Sequence, residues 1–302
     1  MTASTDKIIG CILGGAVGDA CGVPYEGCDS PVEPVDLKGQ RISDDTQLTL
    51  ATCEAIIENG GIVEPSVVAS RFASWHRDRR VHGIGASTYK ALSELVAGGH
   101  WALVGRKGEY AAGNGAAMRI APVAFCLNPK DSDARQVIRN VSRITHHSDE
   151  AYIGALAVAF AIRAAWDGTW CGQSDLVEYV IESIPDSKVR DRLTEMAQLE
   201  IDSPLLDVAR RFGASGYVVE SVPFALYGAQ RISSVGFEDL MRELISAGGD
   251  TDTIASIAGQ VGGTFLGRKQ LPPHLVTRLD EFDFIEDVAN RFAQNVVTDV
   301  AG

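Results

Sequence analysis

Glycine recurs through two segments that otherwise read as apolar helices: Gly10, Gly14, Gly15, Gly18 and Gly22 in the first, and Gly259, Gly262, Gly263 and Gly267 near the end. Each glycine costs a helix interior up to about 1 kcal/mol relative to alanine. Close packing against another helix accounts for tolerating that cost. A dinucleotide-binding GxGxxG loop is excluded, because no strand precedes either run and the spacing does not match.

Elsewhere apolar residues fall at helical spacing, as in Leu48, Ala51, Ala55 and Ile56, or run on continuously from Ala155 to Ile162. Strand-like alternation is nearly absent, so the chain is expected to be all-α. Breaks at Gly60-Gly61, Asp131-Ser132, Ser183-Ile184-Pro185 and Pro272-Pro273 divide it into roughly a dozen helices. The stretch from Cys28 to Gln40, with Pro31 and Pro34, reads as a loop crossing the surface.

The 302 residues are 45% hydrophobic, enough for a sizeable core. A net charge of −13 argues against sequence-independent nucleic-acid binding, which needs Lys and Arg on phosphates. Six cysteines without CxxC spacing are expected to be buried thiols in a reducing cytoplasm. The first residues lack the basic and apolar regions of a secretion signal, and no run reaches membrane-spanning length without a charge. A cytosolic protein without membrane partners is therefore expected.

Two acidic stretches, Ser43-Asp44-Asp45-Thr46 and Asp250-Thr251-Asp252-Thr253, each open an apolar helix. Ser and Asp are ordinary N-caps, and Asp44 with Gln47 imitates a capping box. Capping, however, takes one side-chain oxygen per helix start, and each stretch offers at least three. Adjacent carboxylates repel unless a cation lies between them. Carboxylates and hydroxyls suit Mg²⁺ or Mn²⁺, whereas zinc draws on Cys and His. The two stretches need each other across the whole chain, so residues 1–302 are expected to form a single domain.

Other segments carry candidate chemistry. Asp19 sits near a helix C-terminus, where a carboxylate is unfavourable: either it has a positive partner or a nearby metal, or it lies on a solvated face. Glu26 lies in an irregular segment past Pro24; by itself it reads as a surface-loop residue, though it is free to reach a cleft and lies close in sequence to Asp44 and Asp45. Gly113-Asn114-Gly115 reads as a turn feeding a helix, either a plain Asn-Gly turn or a loop whose amides approach phosphate. His146 and His147 precede a long apolar helix, with ligand contact a better fit than metal binding. Tyr217, after Gly213-Ala214-Ser215-Gly216, either stacks on a base or ribose or anchors the core.

Taken in order, Gly14-Gly15-Ala16-Val17-Gly18-Asp19, Glu26, Ser43-Asp44-Asp45-Thr46, Gly113-Asn114-Gly115-Ala116-Ala117-Met118-Arg119, Thr145-His146, Ser215-Gly216-Tyr217-Val218-Val219-Glu220 and Ala247-Gly248-Gly249-Asp250-Thr251-Asp252-Thr253 resemble one family. It is the ADP-ribosylglycohydrolases related to the dinitrogenase reductase-activating glycohydrolase. The resemblance covers nearly the whole chain, and its specificity lies in the ordered combination.

The resemblance implies a compact all-α orthogonal bundle holding two Mg²⁺ or Mn²⁺ ions, with Ser43, Asp44, Asp45, Asp250, Asp252 and Thr253 as the metal-binding set. It implies hydrolysis of the bond between ADP-ribose and an Arg or Ser side chain, on an ADP-ribosylated protein or a small ADP-ribose conjugate. Glu26 and Asp45 would be the catalytic carboxylates. Gly113, Asn114 and Gly115 would approach the diphosphate, His146 would contact ligand, and Tyr217 with Val218 would border the ribose or adenine. The segment His82-Gly83-Ile84-Gly85-Ala86-Ser87 lacks an acidic residue that some arginine-directed members carry, which puts arginine specificity in doubt.

Two alternatives remain at this level. Helical isoprenoid synthases also use Asp-rich helices, but their DDxxD spacing is missing after Asp44-Asp45. A non-catalytic binding or structural protein on the same fold, as among the family's lens-crystallin relatives, would be expected to lose metal ligands that this chain keeps.

Overall fold

The computed structural model describes residues 2–33, 35–173 and 175–299. It shows sixteen α-helices among the described residues, with β structure reduced to Arg106–Lys107 paired in parallel with His146–His147 and an isolated antiparallel bridge between Gly113 and Tyr217. The all-α expectation holds. The helix number exceeds the dozen expected because some pieces, such as Ile232–Val235 and Pro273–Val276, are single turns that leave little periodic signal.

The helix Ala3–Gly22 runs antiparallel to the helix Thr251–Leu266, in register through their glycines. A Cβ built on Gly10 would strike the carbonyl oxygen of Gly263, one on Gly14 that of Gly259, and one on Gly18 that of Ala255. The reverse holds for Gly259 against Gly14 and Gly263 against Gly10. The two backbones therefore touch directly, which only residues without Cβ permit. Both helices are buried over most of their length. Ala3–Tyr25 is long and apolar enough to cross a membrane, yet 83% of its most apolar window is buried inside the protein.

The helix Asp149–Asp167 is buried almost throughout and forms a second core rod. It packs against the helices Thr251–Leu266, Val218–Ala229, Ala121–Cys126 and Ser132–Arg143. The helix Phe282–Asp299 returns to cover Ala3–Gly22 and Asp44–Glu58, so the chain's two ends share one core.

Among the described residues no helix lies between Tyr25 and Asp44, but the segment is more than a surface loop. Val35, Leu37 and Ile42 are buried, and Gly39 presses on the carbonyl of Ala20. Of the two prolines placed in this loop, Pro34 lies outside the described residues. The cysteine expectation also needs correction. Cys11, Cys21 and Cys53 are buried and Cys126 is half-buried, but Cys28 and Cys171 are exposed, since both lie in loops outside the helices.

Alanine ordinarily stabilises a helix interior relative to glycine by up to about 1 kcal/mol. At Gly14 and Gly18 the sign should reverse, with Gly14→Ala and Gly18→Ala each losing about 1–3 kcal/mol through overpacking. Denaturant melts would check this, and stability equal to or above that of the parent would rule out the backbone contact.

Candidate functional site

The glycine contact brings the acidic stretches together. It ends at Gly22, whose backbone meets that of Asp252 and whose carbonyl accepts a 2.9 Å hydrogen bond from the Thr251 hydroxyl. Asp19, one turn earlier and fully buried, accepts from the backbone N–H of Ser43 at 3.0 Å and of Thr46 at 3.1 Å, and from the Thr46 hydroxyl at 2.5 Å. The positive partner that Asp19 requires is thus the N-terminus of the helix Asp44–Glu58.

This arrangement frees the acidic residues from capping. Ser43 is the N-cap, its hydroxyl accepting from the N–H of Asp45 at 3.3 Å, and Asp19 supplies the second acceptor. Asp44 and Asp45 cap nothing, and Gln47 turns instead to the carbonyl of Ile42 and the N–H of His82. Asp250 occupies the cap position of the helix Thr251–Leu266 without a side-chain cap bond. It follows Gly248 and Gly249, at φ of 71° and 80°, a left-handed pair that glycine adopts freely and that turns the chain into the helix.

The freed carboxylates line one cavity of about 470 Å³. Glu26, Asp250 and Asp252 bring carboxylate oxygens within 4.8 Å of one another. Asp44 and Asp45 line the same wall, and Thr253 donates to Asp45 Oδ2 at 3.2 Å. Ser43 also donates to that oxygen at 3.2 Å, so its hydroxyl is engaged in holding Asp45. Asp45 Oδ1 is buried without a partner.

Crowding and burial raise these acids. Burial, then the charge of Asp250, lifts Asp252 to about 9. Asp45 is held well above the usual range by burial and by Asp252, and Asp44 by burial and by Asp19. Burial lifts Asp19 to about 6 against its own hydrogen bonds, which pull it down. Glu26 is exposed at the rim, and partial enclosure together with Asp250 raises it as well.

Loops form the other walls. The segments around Ala112, Gly216, Gly249 and Cys28 are laced by backbone hydrogen bonds: Asn114 N–H to Gly216 at 3.2 Å, Asp250 N–H to Ala214 at 2.8 Å, and Gly27 N–H to Gly249 at 2.7 Å. Gly113, Asn114 and Gly115 line the cavity beside buried His146. The Asn114 side-chain amide donates to Asp250 at 2.6 Å and to Ser221 at 3.1 Å.

Two expected ligand contacts sit elsewhere. Tyr217 lines an adjoining cavity of about 520 Å³ with Tyr110, Ala112 and Lys188. Val218 is fully buried, packed against Gly154, with its N–H committed to the carbonyl of Ala112, so its side chain belongs to the core. His147 faces away and bonds the carbonyl of Val104 at 2.7 Å.

Gly83, Gly85, Ser87 and Thr88 complete the lining, as do Ser215 and Gly216. Sequence reasoning marked the first segment only for its missing acidic residue. The glycine pair Gly83 and Gly85 before the helix Ala86–Val96 was the available signal, and it resembles many ordinary loops.

The donor set fits a hard divalent cation. Every group in it is an oxygen donor, Asp45 offers an orphaned buried oxygen, and charge repulsion among the carboxylates asks for a counter-ion. The sign for stability follows. A carboxylate whose folded pKa lies above its unfolded value binds more protons when folded, so its contribution to stability falls as pH rises. In EDTA the protein should melt at progressively lower temperature as pH rises from about 4, the ordinary aspartate value, to about 9, Asp19 having given up its contribution by about pH 6 and Asp252 by about pH 9. Mn²⁺ or Mg²⁺ should flatten that slope, and a melting temperature that climbs over the same range in EDTA would exclude this crowding.

Comparison with known proteins bears on the family and the fold. A family model described as ADP-ribosylglycohydrolase matches residues 1–300. The chain is 28% identical over 302 residues to an uncharacterised protein of Archaeoglobus fulgidus, covering 95% of each. It is 28% identical to ADP-ribosylhydrolase ARH3 of Mus musculus, covering 89% of this chain and 86% of that one. It is 26% identical to ADP-ribosylarginine hydrolase Tri1 of Pseudomonas putida, covering 94% and 77%. A solved structure titled ADP-ribosylglycohydrolase-related protein complex superposes with a TM-score of 0.72 at 24% identity, over 98% of this chain and 100% of that chain, a likeness of fold. The chain belongs to the ADP-ribosylglycohydrolase family.

Proposed function

We propose that this protein is a cation-dependent hydrolase that releases ADP-ribose from an acceptor side chain, Arg or Ser, on a protein or a small conjugate, in the cytoplasm. One observation carries the reading: Glu26, Asp250 and Asp252 converge within 4.8 Å beside Asp44 and Asp45, in a cavity large enough for part of a nucleotide. Family membership removes the isoprenoid-synthase alternative.

In the reaction, water oxygen bonds the anomeric carbon of the ribose, the bond from that carbon to the acceptor breaks, and the acceptor atom takes a proton. Ser43, Asp44, Asp45, Asp250, Asp252 and Thr253 would hold two Mg²⁺ or Mn²⁺ ions, the hydroxyls of Ser43 and Thr253 also steadying Asp45. Such ions supply Lewis-acid polarisation of oxygen ligands and a lower pKa for water. Glu26, raised above an ordinary glutamate and open to the rim, is suited to carry the proton between water and the leaving group. Gly113, Asn114 and Gly115 leave a wall without side-chain bulk at two of three positions, as a close-lying diphosphate requires. Tyr217, which lines the adjoining cavity, would border the far end of such a ligand.

Incubation with mono-ADP-ribosylated Arg or Ser substrates and Mg²⁺ should release free ADP-ribose. Absence of release from either linkage, with ADP-ribose still bound in calorimetry, would favour the non-catalytic alternative. Asp45→Ala and Asp252→Ala should abolish turnover and metal uptake together. Glu26→Gln should slow turnover by about 10²–10⁴-fold, the usual worth of a general acid or base, while metal stoichiometry and ADP-ribose affinity stay near those of the parent. Parental activity in all three variants would overturn the site assignment.

A further inference from the structure

His146 is 3% exposed and lines the cavity, and which ring nitrogen carries its proton decides whether it gives or receives a hydrogen bond there. Its Nδ1 lies 2.8 Å from the hydroxyl of Thr145. Arg119, fully buried, donates to that same hydroxyl at 2.8 Å and to the carbonyl of Val141 at 3.3 Å. A guanidinium has donors only, so Thr145 Oγ1 accepts from Arg119. The threonine's own proton then has His146 Nδ1 within reach as its acceptor. Were Nδ1 protonated instead, the hydroxyl would receive two donors and its proton would lie unpaired in a residue with no exposure. A buried polar group left unpaired costs about 1–3 kcal/mol.

We infer that Thr145, anchored by Arg119, is a positioning residue that holds His146 as the neutral Nε2–H tautomer, so that a hydrogen-bond donor faces the cavity for an acceptor oxygen of the ligand.

The surroundings agree. Burial and the neighbouring Arg119 charge both oppose a second proton, and lower the imidazole to about 3. A Cβ on Gly113 would stand 3.0 Å from Nε2, and one on Gly115 would stand 2.7 Å from Cε1. The absence of side chains at both positions therefore leaves the space beside this ring edge open to the cavity. No hydrogen bond within the described residues occupies Nε2, whereas the Asn114 amide beside it is already committed to Asp250 and Ser221. Arg119 itself is held by the Phe72 ring, 4.8 Å from its Cζ, and its Nε and one terminal nitrogen have no partner. Its bonds to Thr145 and Val141 are thus the polar contacts that fix it.

The nuclear magnetic resonance of the ring nitrogens reads the tautomer directly, in the metal-loaded protein labelled with ¹⁵N-histidine. His146, one of 6 histidines, is assigned by the signal lost in His146→Gln. At neutral pH the parent should show Nε2 protonated and Nδ1 bare. Thr145→Val keeps the side-chain shape and removes the hydroxyl; it should redistribute the proton between the two nitrogens and weaken ADP-ribose binding about tenfold, or about 1.4 kcal/mol. Thr145→Ser should restore both. A parent ring protonated at Nδ1, or at both nitrogens, overturns the inference without any variant having to fold, and so does a Thr145→Val spectrum identical to that of the parent. The binding arm rests on the proposed function and the spectrum does not, so a parent that shows the expected tautomer but ignores ADP-ribose would sink the function and leave the tautomer standing.

Discussion

Backbone-to-backbone contact between the helices Ala3–Gly22 and Thr251–Leu266 sets the position of everything chemical in this protein. Side chains at Gly10, Gly14, Gly18, Gly259 or Gly263 would push the two axes apart. The contact ends where Gly22 meets Asp252, so the end of one helix and the start of the other arrive at the same point. Glu26 leaves from that point on one strand of chain, and Asp250 and Asp252 enter it on another. Interiors packed at this density do not deform continuously, and the spacing of the carboxylates is accordingly fixed by residues far from them.

The second constraint is how helix ends are satisfied. The first N–H groups of a helix need acceptors, and on the helix Asp44–Glu58 those acceptors are Ser43 and the buried Asp19. Asp19 sits at an unfavourable place on its own helix and a favourable one on its neighbour's, so the two dipole effects oppose and the hydrogen bonds decide. With capping done by others, Asp44 and Asp45 keep their oxygens for the cavity. Asp250 reaches the same condition through the left-handed Gly248-Gly249 turn.

Much of this was legible in the sequence, for identifiable reasons. Helical periodicity gave the class, because an all-helical core leaves its 3.6-residue pattern in every long element. The surplus of oxygens at two helix starts pointed to the cavity, since a simple cap leaves most of them unused. What stayed hidden depended on three-dimensional register. The glycines announced close packing but not their pairing with each other, which needs the antiparallel alignment. Val218 shares a motif with Tyr217, and only the burial of its side chain against Gly154 separates core from cavity. Asp19 and Arg119 carry no local signal of their partners, because each is bonded to a segment distant in sequence.

The electrostatics of the bare cavity bear on how the proposed ligand enters. Five carboxylates face it, those of Glu26, Asp44, Asp45, Asp250 and Asp252, and the whole chain carries −13. A diphosphate approaching that surface meets charge of its own sign, at separations where the protein interior screens less than water does. Protons held on the raised acids relieve the repulsion only in part. Divalent cations change its sign, which gives ligand and cations a favourable coupling free energy, and such coupling is reciprocal. On the proposed reading, ADP-ribose should therefore tighten the hold on the cations by the same factor that the cations strengthen the hold on ADP-ribose. The neutral Nε2–H of His146 suits this balance, because it offers a donor to a ligand oxygen without adding a positive charge that the cations would repel.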